Sequence, residues 1–188
     1  TTATAAHQIA ANVTALLYMT PLSLAIATSA RVSYWRGAGD EGRARKVALQ
    51  GSALALVLAA LAALAVLALR PGIAAIYTAH AGVALLATRL LAWVALLHLA
   101  DATQTLAIFV LRCYRVTLAP FVAYGVLLWG FGLGGGYVLA YRGLGPWPAQ
   151  QSPAAFWQAA AGALLVTALL VQAMLRRVSR RAVALQTG

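Results

Sequence analysis

Acidic side chains are nearly missing from this sequence. Asp40, Glu41 and Asp101 are the only three carboxylates in 188 residues, against 14 Lys and Arg. Charged residues make up 9% of the chain, where a soluble domain carries about 25%. So little charge excludes a water-facing globular fold. Cysteine is reduced to Cys113, which excludes an internal disulfide, and three scattered histidines do not make a zinc cluster. An initiator Met, a basic leading region and a signal-peptide cleavage pattern are absent too. The chain opens on TTATAAHQ and runs straight into apolar sequence, so it reads as a piece of a longer protein.

What is abundant is apolar. Hydrophobic residues make up 63% of the chain and the mean hydropathy is +0.83. Crossing a bilayer as a helix takes about 20 apolar residues, and five such runs occur, at about 5–30, 47–69, 81–111, 118–141 and 154–175. A tail follows at 176–188. Backbone groups in lipid must bond within their own segment, so runs of this length are predicted to be helices. Their Ala and Gly content permits close helix–helix contact. The predicted class is an all-α polytopic membrane helix bundle forming one transmembrane domain.

The net charge of +11 would point to nucleic acid in a soluble protein. Its placement here gives another explanation. Arg31, Arg36, Arg43, Arg45 and Lys46 fill the first connection, Arg112 and Arg115 the third, and Arg176, Arg177, Arg180 and Arg181 the tail. The second and fourth connections hold only Arg70 and Arg142. Eleven cations therefore fall on one side and two on the other. By the positive-inside rule the chain starts outside and ends in the cytoplasm. Membrane lipids, not nucleic acid, are the expected surroundings. Tyr77, Tyr141, Trp147, Phe156 and Trp157 would form an outer aromatic belt, and Tyr34, Trp35 and Tyr114 an inner one. An odd number of spans with an external start predicts at least one further helix upstream.

Inside the spans, Asp101 is the sole acid. An unpaired carboxylate at that depth costs several kcal/mol, which makes it a functional candidate by default. His98, Gln104 and Thr105 stand three or four residues from it, on one helical stripe reading H-x-x-D-x-x-Q-T. The alternative is a polar patch that joins helices. His98 has two readings of its own, a hydrogen-bonded packing residue or an imidazole held and tuned by the carboxylate. Arg89, also within the third span, either snorkels to the outer face or supplies a countercharge. In the first span Gln8, Asn12, Met19 and Ser23 form a weaker stripe, facing either a cavity or a neighbouring helix.

Two patterns are decoys. Asn12-Val13-Thr14 fits a glycosylation sequon but lies inside an apolar helix. Gly37-Ala38-Gly39-Asp40-Glu41-Gly42 fits G-x-G-x-x-G, yet no strand precedes it and two acids would repel a pyrophosphate. The fourth span is rich in glycine, at 125, 130, 132, 134, 135 and 136. Close packing and a bending hinge both account for that.

Several segments together carry a family resemblance. Ala5-Ala6-His7-Gln8-Ile9 with Asn12, Pro21-Leu22-Ser23, Arg31 and Gly37 resembles the eighth helix of multidrug and toxic compound extrusion (MATE) transporters. His98-Leu99-Ala100-Asp101-Ala102-Thr103-Gln104 resembles their tenth helix, Q-x-x-D-A-x-Q. Leu111-Arg112-Cys113-Tyr114-Arg115-Val116-Thr117 with Pro120 resembles the L-R-G-Y-K-D-T-x-x-P turn that follows. Trp129 and Gly132-Leu133-Gly134-Gly135-Gly136-Tyr137 resemble the eleventh helix, Y-W-x-x-G-L-P-x-G-Y. His98, Cys113, Val116 and Gly134 depart from the family's usual Gln, Gly, Asp and Pro.

The resemblance implies helices eight to twelve of a twelve-helix transporter, most of one six-helix lobe, in a bacterial inner membrane. It implies a secondary antiporter, not an enzyme, that needs no cofactor. Such a protein exports amphipathic or cationic small molecules in exchange for Na⁺ or H⁺, working with the N-terminal lobe of the same chain. Asp101 takes over the family's tenth-helix cation-site role, binding Na⁺ if coupling is to sodium. His98, Gln104, Thr105, Asn12 and Gln8 join it as coupling-ion or substrate candidates. The competing classes are a lipid-linked oligosaccharide flippase of the same superfamily, which tends to line its cavity with several cations, and a non-transporting membrane scaffold. An intramembrane enzyme built on His98 and Asp101 would lack a nucleophile.

Overall fold

Each apolar run forms a helix, and most outrun the run that specifies them. The computed structural model describes residues 1–146 and 148–187. In it α1 spans Thr2–Gly37, α2 Glu41–Tyr77, α3 Ala81–Cys113, α4 Leu118–Arg142 and α5 Ala154–Thr187. The described residues contain no strand, and all five helices are long and apolar enough to cross a membrane. Hydropathy marks only the stretch that suits lipid, whereas caps decide where helices stop. The Asp40 side chain accepts from the Arg43 N–H (2.8 Å) and so starts α2 within the charged connection. Beyond residue 175 the basic segment continues as α5. Trp147, expected in the outer aromatic belt, lies outside the described residues.

The third helix is the axis of the bundle. It packs against α1, α2 and α5, while α4 leans mainly on α5. Two apolar clusters sit along it. One gathers Ile9, Val13, Leu90, Leu91, Val94 and Leu164 towards the sparsely charged end. The other gathers Val32, Leu106, Val110, Leu111, Val171 and Leu175 towards the cationic end. The polar stripe His98–Thr105 falls between them. Burial from lipid gains little transfer energy, so these contacts depend on close fit and small residues. At Gly51 an added Cβ would come within 2.5 Å of the Thr28 side chain, which sets how near α1 and α2 approach.

The fourth helix is wound unusually. Val126–Gly134 and Val138–Arg142 carry π-type i→i+5 hydrogen bonds, separated by a short α turn. Its glycines divide into two sets. Gly132, Gly135 and Gly136 face Ala160, Ala163, Ala159 and Phe156 of α5, whereas Gly125, Gly130 and Gly134 meet nothing within 4 Å. Carbonyls near the end of the wide winding are met from the loop, where the Gln150 and Gln151 N–H groups donate to Leu139 (3.0 Å) and Ala140 (2.9 Å). Close packing requires glycine at Gly136, where an added Cβ would come within 2.6 Å of Phe156, whereas Gly135 meets Ala159 at an ordinary 3.8 Å.

At the cationic end one arginine ties the connections together. Arg36 Nε donates to Glu41 (2.9 and 3.2 Å), and its Nη1 donates to the Cys113 carbonyl at the end of α3. The same guanidinium lies 4.2 Å from the Tyr114 ring centre. Gln186 of α5 reaches the same turn, donating to the Gly39 carbonyl and accepting from the Glu41 N–H (3.0 Å). Burial first, and then the Glu41 carboxylate, push the Tyr114 phenol up to about 12.

Candidate functional site

The middle of α3 opens into a cleft between α1, α3 and α4 with a volume of about 690 Å³. Asp101, Gln104 and Thr105 line it from α3, facing Tyr18 of α1 and Phe121 and Tyr124 of α4. Asp101 is half-buried. Its Oδ1 accepts from Gln104 Nε2 at 3.2 Å. Gln104 is 2% exposed, and its other end, Oε1, is buried with no hydrogen-bond partner among the described residues. A carboxylate and an orphaned amide oxygen are thus linked through one side chain. Oxygen donors of this kind suit a proton or a hard cation, and an orphaned buried acceptor is costly until something donates to it or coordinates it. Among the described residues there is no cluster of three His, Cys, Asp or Glu side chains fit for a transition metal.

The helix period explains why these residues converge. Positions 101, 104, 105 and 108 share one face of α3, and all four line the cleft. From Asp101 the cleft continues to Arg112, Thr117 and Leu118, so it runs towards the cationic end of the bundle. Gln172 of α5 holds α3 from another side, donating to the Thr103 carbonyl at 2.9 Å. Tyr124 also borders a second, apolar cavity of about 460 Å³, lined by His7, Leu97, Trp129, Phe156 and Trp157 among others. There Trp157 Nε1 donates to His7 Nδ1 at 3.2 Å.

Not every candidate joins the cleft. His98 is 4% exposed and lies against Thr20, Pro21 and Leu24 of α1 and Ala55, Leu58 and Ala59 of α2. No hydrogen bond or ion pair links it to Asp101 among the described residues. Gln104 stands at the same spacing of three on the other side of Asp101, so the difference is tertiary: His98 faces the α1 and α2 residues packed at its level, and Gln104 faces the cleft. Gln8 and Asn12 are exposed on α1 and bond to each other, Gln8 Nε2 donating to Asn12 Oδ1 at 3.3 Å. Neither lines the Asp101 cleft. Arg89 is exposed on the surface of α3 and away from the cleft. Sequence reasoning missed Tyr18 and Tyr124, which meet Asp101 across the cleft; a tyrosine within an apolar span is a polar handle that asks for a reason.

Comparison with known proteins adds independent observations. The MatE family profile matches residues 1–138. A "Probable multidrug resistance protein NorM" of Aromatoleum aromaticum is 35% identical over 187 residues, covering 98% of this chain and 40% of that protein. "Multidrug resistance protein MdtK" of Proteus mirabilis is 38% identical over 138 residues, 73% of this chain and 30% of that protein. "Multidrug resistance protein PmpM" of Pseudomonas aeruginosa is 37% identical over 178 residues, 94% of this chain and 37% of that protein. The chain thus spans at most about two-fifths of the length of these relatives.

Proposed function

Since this multi-pass membrane chain belongs to the MatE family, we propose that it forms most of one lobe of a secondary antiporter that exports amphipathic organic cations against Na⁺ or H⁺. Asp101 binds the coupling ion, with Gln104 and Thr105 beside it. The observation that carries this reading is Asp101, half-buried in an open cleft, accepting from Gln104 Nε2 while the Oε1 of the same amide is buried and unbonded among the described residues. An ion entering the cleft neutralises the carboxylate, which relieves the cost of an unpaired charge at that depth. It biases the lobe only to the extent that two conformations bind it unequally. Tyr18, Phe121 and Tyr124 supply aromatic faces for a cationic substrate. In this role the protein transports and does not catalyse, and it needs no bound cofactor.

Gln8 and Asn12 complete the reading as substrate-facing groups on the exposed side of α1, turned towards the rest of the transporter. His98 acts through the packing of α1 and α2 against α3. The test uses the intact transporter that contains this chain, in vesicles with an imposed ion gradient. Asp101→Asn should abolish ion-driven efflux with membrane accumulation unchanged, and Asp101→Glu should retain part of it. Efflux by Asp101→Asn at the normal rate would sink the assignment. For His98→Gln we expect an unchanged pH profile; a shifted midpoint would make the imidazole part of the ion site.

A further inference from the structure

The end of α5 presents four cations on its exposed side. Arg176, Arg177, Arg180 and Arg181 are all exposed, while Leu175 and Ser179 are buried against the bundle. At 100° per residue the four arginines form one stripe, opposite the packed side of the helix. Among the described residues none of their guanidinium groups has an ion pair or a side-chain hydrogen bond.

The stripe does not begin at Arg176. Traced back at helical spacing, it continues through Ala173 to Leu170, Leu169, Val166 and Leu165, four side chains between 44% and 66% exposed. A single face of α5 thus changes from exposed aliphatic to exposed cationic within about one turn. An aliphatic face fits acyl chains, and the cations beyond it fall where the chains end. Arg176 to Arg181 rise about 7.5 Å along the helix. The headgroup layer of one leaflet is about 5–7 Å thick, so the four charges span it. The helix is held upright there, because Gln186 is bonded to the α1–α2 turn and Leu175 and Val178 pack into the cluster with Ala44 and Ala48. Asp40 and Glu41, the acids at this end, are already engaged by Arg43 and Arg36.

We propose that this face of α5 is a binding surface for anionic glycerophospholipids, with the arginine pairs at 176/177 and 180/181 contacting headgroup phosphates and the aliphatic residues above them lying along the acyl chains. Arginine suits the task because its planar fork pairs with phosphate oxygens bidentately. The inference rests on the membrane-spanning fold alone, and the transport reading can fail without it.

The experiment quantifies lipids retained by the intact protein after purification in mild detergent from membranes holding phosphatidylglycerol and phosphatidylethanolamine. Phosphatidylglycerol should be enriched over its share of the membrane, and the enrichment should fall with added salt. The variant R176Q/R177Q/R180Q/R181Q should lose roughly tenfold or more of the retained anionic lipid, and the corresponding four-lysine variant should keep most of it. If the quadruple glutamine variant fails to accumulate, R180Q/R181Q alone should still lower retention several-fold. Arg142→Gln, at the opposite end, should change nothing. Unchanged retention in the glutamine variants would overturn the proposal, and is the result expected if another part of the intact protein covers this face. Displacement of the lipid by soluble glycerol phosphate would also overturn it, since the site would then be for isolated phosphate.

Discussion

At the scale of single residues, the middle and the cationic end of α3 illustrate opposite uses of a polar group. Gln104 leaves an acceptor unpaired inside the bundle, and Tyr114 leaves a hydroxyl unpaired at the cationic turn. The first borders a cleft; the second borders nothing that it bonds. Tyr114→Phe should therefore keep the stacking with Arg36 and remove a desolvated hydroxyl, leaving thermal stability unchanged or raised by about 1 kcal/mol. The raised phenol adds a pH signature. The unfolded phenol ionises near 10 and the folded one near 12, so folding favours its neutral form. Its contribution is complete below about pH 10 and lost as pH rises towards about 12. Unfolding midpoints of the intact protein in detergent should fall over that window, and Tyr114→Phe should remove part of the fall. Arg36→Ala takes away an ion pair, a ring contact and a carbonyl's donor together, and should cost roughly 1–3 kcal/mol by the same measurement.

At the scale of helices, much was legible beforehand and some was not. Five long apolar runs and the residues sharing the Asp101 face followed from length and period. The helix ends did not, because caps such as Asp40 act on backbone groups that hydropathy ignores. Nor did the placing of His98. A spacing of three puts two residues near one face, but it does not say on which side of the intervening angle a neighbouring helix stands. The cleft's tyrosines were invisible for a related reason, since they belong to other helices and meet Asp101 only through tertiary packing. The glycines of α4 gave two readings, and packing explains part of them. An added Cβ at Gly136 would stand 2.6 Å from the Phe156 ring and 3.1 Å from its Cα, a backbone atom that has no freedom to swing aside. Gly130 meets nothing within 4 Å. Gly136→Val should then lower the unfolding midpoint by the equivalent of about 1–3 kcal/mol, while Gly130→Ala should be neutral or better, because it lowers the helix cost. Equal effects at the two positions would mean that α4 and α5 are not packed in this register.

At the scale of the whole chain, the governing quantity is where the charge lies. Every cation of the α1–α2 and α3–α4 connections and of the end of α5 falls at one end of the bundle, where Gln186 meets Glu41 and Arg36 meets Cys113. Translocating that end would mean carrying eleven cations across the membrane, at about 2.5–3.5 kcal/mol for each one stranded in the core. The opposite end has two. The positive-inside rule predicts an orientation with the cationic end in the cytoplasm, and with it an Asp101 cleft that extends towards the cytoplasm. Single cysteines in a Cys113→Ser background of the intact protein can test it. Gly42→Cys is suitable at the cationic end, since the position is exposed and an added Cβ meets nothing closer than 3.5 Å. Pro148→Cys is suitable at the other, being exposed in the loop before α5. In intact cells a membrane-impermeant thiol reagent should label the cysteine at 148 and spare the one at 42, and inverted vesicles should give the reverse. Labelling of position 42 from outside would invert the bundle. It would also turn the cleft away from the compartment in which the proposed exporter would collect its substrate.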